Sequence, residues 1–361
     1  MPLRPQIVDA LIIGGGPAGL AASLAYARTR TTAIVFDSQS YRNEGIKHMH
    51  TVPSRDHVNP YEFRSIAREQ ITSRYPSVWF EKVTVTQAEK KLLGEEKYEG
   101  FEVTDSEGKS YQGKKLILAT GSRDVFPEIE GFKENWPQHI YQCLACDGFE
   151  QRGTPIGVLD CSPKTAHFTN MTLNFDSRVT VLTNGPVPVN AAIKQQLRIC
   201  EAWGAKVDSR RIKRLINNGP THKEGVTVEF EEGETLTFGF IAHKSATVNK
   251  SQDLIDQLGV ECVDPALGGH IRIVNPMFNS TSVKGCFAGG DTMQAMKQVT
   301  ISMADGLKAA AGAGMEIAAE RELATLKMLE KQDINASMIG TALESPDAAM
   351  MLSSGDSKAA S

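Results

Sequence analysis

Two cysteines with an acid beside them, Cys143-Leu144-Ala145-Cys146-Asp147-Gly148, are the residues of this chain best suited to do chemistry. Thiols at this spacing can alternate between dithiol and disulfide, which moves two electrons. Asp147 can take a proton from an incoming thiol or return one to a departing sulfur, provided burial raises its pKa. The plainer alternative is that Asp147 caps a helix opening after the motif. Glu150 could share the proton transfer but reads more simply as a solvated side chain. A second chemical cluster is Lys47-His48-Met49-His50-Thr51. Its H-x-H spacing suits a metal, but no further clustered His or Cys accompanies it, so no metal is expected. The segment follows the second strand of the chain, so His50 is expected to contact a cofactor and His48 to assist acid–base chemistry.

The elements that must position these groups begin at the N-terminus. Val8-Asp9-Ala10-Leu11-Ile12-Ile13 reads as a buried strand, residues 20–27 as a helix packed on a sheet, and residues 32–36 as a second strand ending at Asp37. Between the first strand and the helix lies Gly14-Gly15-Gly16-Pro17-Ala18-Gly19, a dinucleotide fingerprint. Gly14 permits the tight turn, Gly16 lets backbone approach a pyrophosphate, and Gly19 lets helix and strand pack closely. The phosphates would sit at the helix N-terminus formed by Pro17 and Ala18, where unpaired N–H groups favour negative charge. Asp37 stands where a carboxylate accepts hydrogen bonds from a ribose. The fingerprint alone does not distinguish FAD from NAD.

Length and composition set the frame. A chain of 361 residues suggests two domains. A net charge of −4 with interspersed signs gives no reason to expect a nucleic-acid or membrane partner. No run approaches the roughly 20 apolar residues of a bilayer span, and Met1-Pro2-Leu3-Arg4-Pro5-Gln6 carries no secretory pattern, so a cytoplasmic location is expected. In that compartment a disulfide is usually catalytic. Of six cysteines, Cys161, Cys200, Cys262 and Cys286 are expected to be inert.

Later segments carry a resemblance. Leu116-Ile117-Leu118-Ala119-Thr120-Gly121-Ser122-Arg123, Gly285-Cys286-Phe287-Ala288-Gly289-Gly290-Asp291 and Lys297-Gln298-Val299, taken with the paired cysteines, are similar to segments of low-molecular-weight thioredoxin reductases over roughly residues 8–320. The resemblance implies an α/β, two-dinucleotide-binding flavoprotein fold with FAD as cofactor. The fold would comprise two Rossmann-like three-layer domains, the second inserted in the first. Besides Gly14, Gly15, Gly16, Pro17, Ala18 and Asp37, the FAD set would include Ser38, Arg42, His50, Val83, Ala119 and Asp291. Gln298 and Val299 would open a helix toward the flavin pyrimidine, where its N-terminus stabilises a reduced, anionic ring. Cys143 would be the sulfur attacked by substrate and Cys146 the one facing the flavin.

The chain departs from that family where a second, NADPH-binding fingerprint is expected. A strand at 155–160 runs into Cys161-Ser162-Pro163-Lys164-Thr165-Ala166, with no glycine for phosphate approach and a proline that removes a donor. The next strand, Val179-Thr180-Val181-Leu182, leads to Thr183-Asn184-Gly185-Pro186 rather than to a basic cluster, and neither Arg178 nor Arg198 supplies one. The second domain is therefore read as degenerate for NADPH. Segments 36–43, 47–51 and 143–150 resemble fungal dithiol oxidases of the gliotoxin oxidase type, which close disulfides in epidithiodiketopiperazines. This implies a small-molecule dithiol substrate, O2 reduced to H2O2, and a homodimer. An NADPH- or ferredoxin-fed disulfide reductase and a flavin scaffold without turnover are the alternatives.

The expected organisation is 1–125 and 247–325 for the FAD domain, 126–246 for the degenerate domain carrying the cysteines, and 326–361 as an extension. A strand at 79–85, a hairpin at 101–111 turning at Glu107-Gly108, a helix at 163–176 and an Ala-rich helix from 302 to about 332 complete the reading. Residues 346–361, small and polar, are expected to be disordered.

Overall fold

The computed structural model describes residues 3–343, with side chains through Gln332; the expectation for 346–361 lies outside the described residues. Strands β1 (Ile7–Ile13), β2 (Ala33–Phe36) and β3 (Val78–Glu81) alternate with helices α1 (Pro17–Arg28) and α2 (Pro60–Arg74). Then β4 (Val85–Leu93), β5 (Tyr98–Asp105) and β6 (Ser110–Leu118) form an antiparallel meander, turning after Asp105 as expected. The first sheet runs β3-β2-β1-β6-β5-β4, and β17 (Cys286–Ala288), from far along the chain, pairs parallel with β6. In β1 every second residue changes face. Leu11 and Ile13 enter one core while Ala10 and Ile12 enter the other, as befits a strand covered on both sides. The strand expected across 79–85 is broken, because Val83 sits at a bend between β3 and β4.

A second unit follows β7 (Ser122–Val125). It contains α3 (Phe132–Asn135), β8 (Ile140–Tyr141), α4 (Leu144–Asp147), β9 (Ile156–Leu159), α5 (Thr165–Thr172), β10 (Val179–Leu182), α6 (Ala191–Ala202) and β11 (Lys206–Asp208). Next come β12 (Ile212–Asn217), β13 (Val226–Phe230), β14 (Leu236–Phe238) and β15 (Phe240–Ala242). Its parallel sheet runs β11-β10-β9-β15-β8, with β12-β13-β14 as a separate antiparallel sheet. Helix α5 is shorter than the expected 163–176, ending in a run of tight turns at 173–177. The chain returns through β16 (Ala246–Asn249), which pairs antiparallel with β7, and continues into α7 (Gln252–Leu258). One two-stranded ribbon thus carries both covalent crossings between the units.

The last helix, α8 (Val299–Leu343), packs on α1 through small residues. A Cβ on Gly306 would overlap the carbonyl of Ala18, so only glycine allows this approach. Farther along, α8 is tied to the sheet by Lys115. This side chain is almost fully buried, with its ammonium 3.1 Å from Glu316 and 2.7 Å from Glu320. No helix among the described residues is long and apolar enough to cross a membrane.

A buried cation needs its partners more than they need it. Replacing both Glu316 and Glu320 by Ala is expected to cost about 3–5 kcal/mol of unfolding free energy. Lys115→Met, which leaves the partly exposed acids to water, should cost clearly less. Urea denaturation of both variants checks the order; equal losses would contradict it.

Candidate active site

The glycine turn forms at the C-terminal end of β1. Gly14 has φ +119°, a conformation open to glycine, and a Cβ there would collide with the carbonyl of Ala119 at the end of β6. A Cβ on Gly19 would overlap Gly14, and one on Gly15 would overlap the Asp37 carboxylate. Nothing lies within 4 Å of a Cβ built on Gly16, which leaves the N-terminus of α1 open at the position meant for a pyrophosphate. Asp37 is buried and accepts from the Tyr41 hydroxyl at 2.6 Å, the Gln39 N–H at 2.9 Å and Arg68. A carboxylate offers about four acceptor sites, so one remains for a ribose. Ser38 is exposed next to it, and Val83 is half-buried against the adjacent core. Asp291 follows β17, and Lys297 donates to the carbonyls of Asp291 and Gln294, closing the loop that leads into α8.

The redox motif meets this framework at one point. Cys143 and Cys146 form a disulfide spanning α4. The Gln298 amide, just before Val299 opens α8, lies with Nε2 3.3 Å from the Cys143 Sγ and 3.5 Å from the Cys146 Sγ. Residues from the two units that the sequence could only relate by resemblance are thus in contact. Thr51, from the His-rich loop, donates to the same Gln298 at 3.1 Å.

Asp147 is the last residue of α4, whose first turn begins after Cys143. It therefore does not cap a following helix, and the capping alternative falls. Burial pushes its carboxyl up to about 7, with neighbouring Glu150 adding to the rise and His50 opposing it. The same acids, with burial leading, raise the phenol of Tyr141. His50 Nε2 stands 3.5 Å from Glu150 and 2.9 Å from His57 Nδ1, while His48 is exposed and stacked on His57. Desolvation and the His57 and His50 rings hold His48 below its ordinary pKa. The expectation of an isolated H-x-H pair is corrected here. A turn through Thr51, Ser54 and His57, each at positive φ, folds the chain back so that His57 joins His50 and Glu150. Their ligand atoms lie within 4.8 Å of one another, close enough to share a proton or a cation. His50 Nδ1 is buried without a protein partner.

Arg42 is held by side chains from both units. Its guanidinium pairs with Asp124 on β7 at 2.7 Å, approaches Asp291 at 3.3 Å and bonds the side chain of Gln142, the residue before Cys143. Gln142 and Asp124 had no signal of their own in the sequence. Only the path of the ribbon brings them to Arg42.

The second unit's turn after β9 is filled by the chain itself. The Asp160 carboxylate accepts from the hydroxyls of Ser162 at 2.9 Å and Thr165 at 2.5 Å. The Ser162 N–H donates to Thr165, the Lys164 N–H to the Ser162 hydroxyl and the Ala166 N–H to Gln196. At the start of α5 the Lys164 and Ala166 N–H groups are taken by side chains and that of Thr165 by the Ser162 carbonyl, and a carboxylate occupies the turn. An open depression at the ends of β9 and β10 is bounded by Asp160, Cys161, Asn184 and His243. Arg178 is turned to Asp176. One guanidinium that sequence proximity missed, Arg211, comes within 3.6 Å of a Cβ built on Gly185.

The family model described as pyridine nucleotide-disulphide oxidoreductase matches residues 8–306. The chain is 39% identical over 323 residues to thioredoxin reductase aclD of Aspergillus oryzae, covering 88% of this chain and 98% of that protein. It is 38% identical to thioredoxin reductase tcpT of Claviceps purpurea, covering 87% and 96%. Among solved structures, an oxidoreductase from Agrobacterium tumefaciens superposes with a TM-score of 0.77 at 29% identity, covering 86% of this chain and 98% of that one.

Asp147 predicts a pH effect on stability. With its pKa raised from 3.8 to about 7, the folded chain keeps a proton that the unfolded chain releases between those values. Stability therefore falls as pH rises through that window and stays lower above it. Asp147→Asn should be more stable than the parent at pH 8 by about 2–4 kcal/mol and indistinguishable at pH 4. Thermal unfolding at both pH values decides; no gain at pH 8 would refute the burial argument.

Proposed function

We propose, from the premise that this chain belongs to the pyridine nucleotide-disulphide oxidoreductase family and is a flavin-dependent disulfide oxidoreductase, that it oxidises a small-molecule dithiol to a disulfide with O2 as acceptor. The carrying observation is the Cys143–Cys146 disulfide held against Gln298 while the β9–α5 turn is filled by Asp160. The residues fit FAD. The open approach at Gly16, the remaining acceptor capacity of Asp37 and the unpartnered His50 Nδ1 are what a bound dinucleotide would use. When bound, FAD supplies a two-electron acceptor for the reduced cysteines.

The chain's own steps are thiol–disulfide exchange. A substrate thiolate attacks one sulfur, by resemblance Cys143, breaking the S–S bond to give a mixed disulfide and a Cys146 thiolate. The second substrate thiol attacks the mixed disulfide, so the product leaves cyclised and both cysteines are left reduced. Asp147, ionised, takes the proton of the incoming thiol. With a pKa near 7 it is half-ionised at neutral pH, where a general base is most effective. His50 and Glu150, 3.5 Å apart, can pass that proton toward solvent, with His48 at the outer end of the stacked rings. The balance is dithiol plus O2 giving disulfide plus H2O2.

The names of the fungal relatives favour a second reading, an NADPH-fed disulfide reductase, and Arg211 near Gly185 is the residue that would serve it. Anaerobic addition of NADPH separates the two. Flavin bleaching establishes the reductase, whereas no bleaching with NADPH but bleaching with a small dithiol establishes the oxidase. Oxygen uptake with that dithiol is expected to vanish in Cys143→Ser and in Cys146→Ser; uptake surviving in both would end the proposal. The rate should climb as pH rises to about 7, and Asp147→Asn should lose that rise together with roughly 10²–10⁴ of the rate. A pH–rate profile that keeps its rise in Asp147→Asn assigns the base elsewhere.

A further inference from the structure

The disulfide sits on one unit and Gln298 on the other, so the redox contact depends on how the two are held together. Their covalent connection is the β7–β16 ribbon, only two strands wide, and narrow interdomain connections are where hinge motion occurs. Among the described residues, the polar side-chain contacts that cross between the units are few. They are Gln298 to the two sulfurs, His50 to Glu150, and Arg42 to Gln142. The first two involve groups that change charge or bonding during thiol exchange. The third does not.

Arg42 has the construction of a latch. It stands in the loop after β2, and Asp124 on the ribbon grips it through both carboxylate oxygens, at 2.7 and 3.1 Å. Its remaining donors reach Asp291, on the loop before α8, and Gln142. The Gln142 amide completes the circuit by donating to Asp124 at 3.5 Å. Asp124 is nearly buried and Arg42 largely so, which places the guanidinium where bidentate geometry counts and a lysine could not substitute. Gln142 adjoins Cys143 directly, so a fixed Gln142 fixes the N-terminal end of the disulfide turn.

We propose that Arg42 and Gln142 form an interdomain latch that holds the disulfide at the α8 N-terminus, making them positioning residues for the electron transfer assigned above, on which this inference rests. Gln142→Ala is the cleaner test, since it opens the crossing contact and leaves the Arg42–Asp124 pair intact. Two readouts apply to the FAD-loaded oxidised protein. Solution X-ray scattering should show a larger radius of gyration for Gln142→Ala than for the parent, with FAD content unchanged. Anaerobic stopped-flow with a small dithiol should show flavin bleaching slowed roughly tenfold to a hundredfold, the range expected when reacting groups lose their alignment. Opening of the disulfide, followed by acid quench and alkylation, should keep its rate. If parent and Gln142→Ala scatter alike and bleach alike, the latch is wrong. If the parent itself never bleaches with a dithiol, the oxidase reading fails, and the latch then stands or falls on the scattering alone.

Discussion

The disulfide and Gln298 meet across two units joined by a single ribbon. The two sulfurs and Asp147 belong to a unit built on one parallel sheet, and Gln298 belongs to the other. Covalent linkage cannot enforce the 3.3–3.5 Å approach of the Gln298 amide to the sulfurs, because β7 and β16 form a ribbon only two strands wide. Polar contacts therefore carry the alignment. A partly desolvated guanidinium with a bidentate carboxylate partner suits that role, since breaking it leaves an unpaired charge away from water.

The framework behind the site relies on the absence of side chains. Gly14, Gly19 and Gly306 stand where a Cβ would collide with backbone. Together they bring β1, α1 and α8 closer than larger residues permit, and this closeness sets the N-termini of α1 and α8 on one cofactor cradle. Lys115, tied to Glu316 and Glu320, holds the first half of α8 to the sheet. A helix anchored this way presents Gln298 and Val299 at a fixed depth.

The two units show opposite uses of one supersecondary turn. After β1 the turn is glycine-rich and open at Gly16. After β9 it is closed by Asp160, Ser162 and Thr165 bonding to one another. The carboxylate takes the two hydroxyls while backbone N–H groups of the turn bond to Thr165, Ser162 and Gln196, so the strand–helix geometry survives without an anion. A small set of hydroxyl and carboxylate groups is enough for this change, and the parallel sheet is untouched by it.

The sequence by itself determined the first β-α-β unit, the hairpin turning near Glu107, the redox motif, and the absence of glycines after β9. Each is a local signal, read from spacing within a few residues and from steric rules that hold in any fold. It misplaced the break at Val83, overextended the helix at 163–176 and treated Asp147 as a possible cap, because ends and bends depend on packing that periodicity does not encode. The tertiary structure alone decided which distant groups meet. His57 joins His50 through a turn that takes positive φ at Thr51, Ser54 and His57, and Arg42 finds Asp124 and Gln142 across the ribbon. Asp147 acquires its raised pKa from burial beside Glu150. Burial and through-space charge are properties of the assembled fold, and no spacing along the chain specifies them.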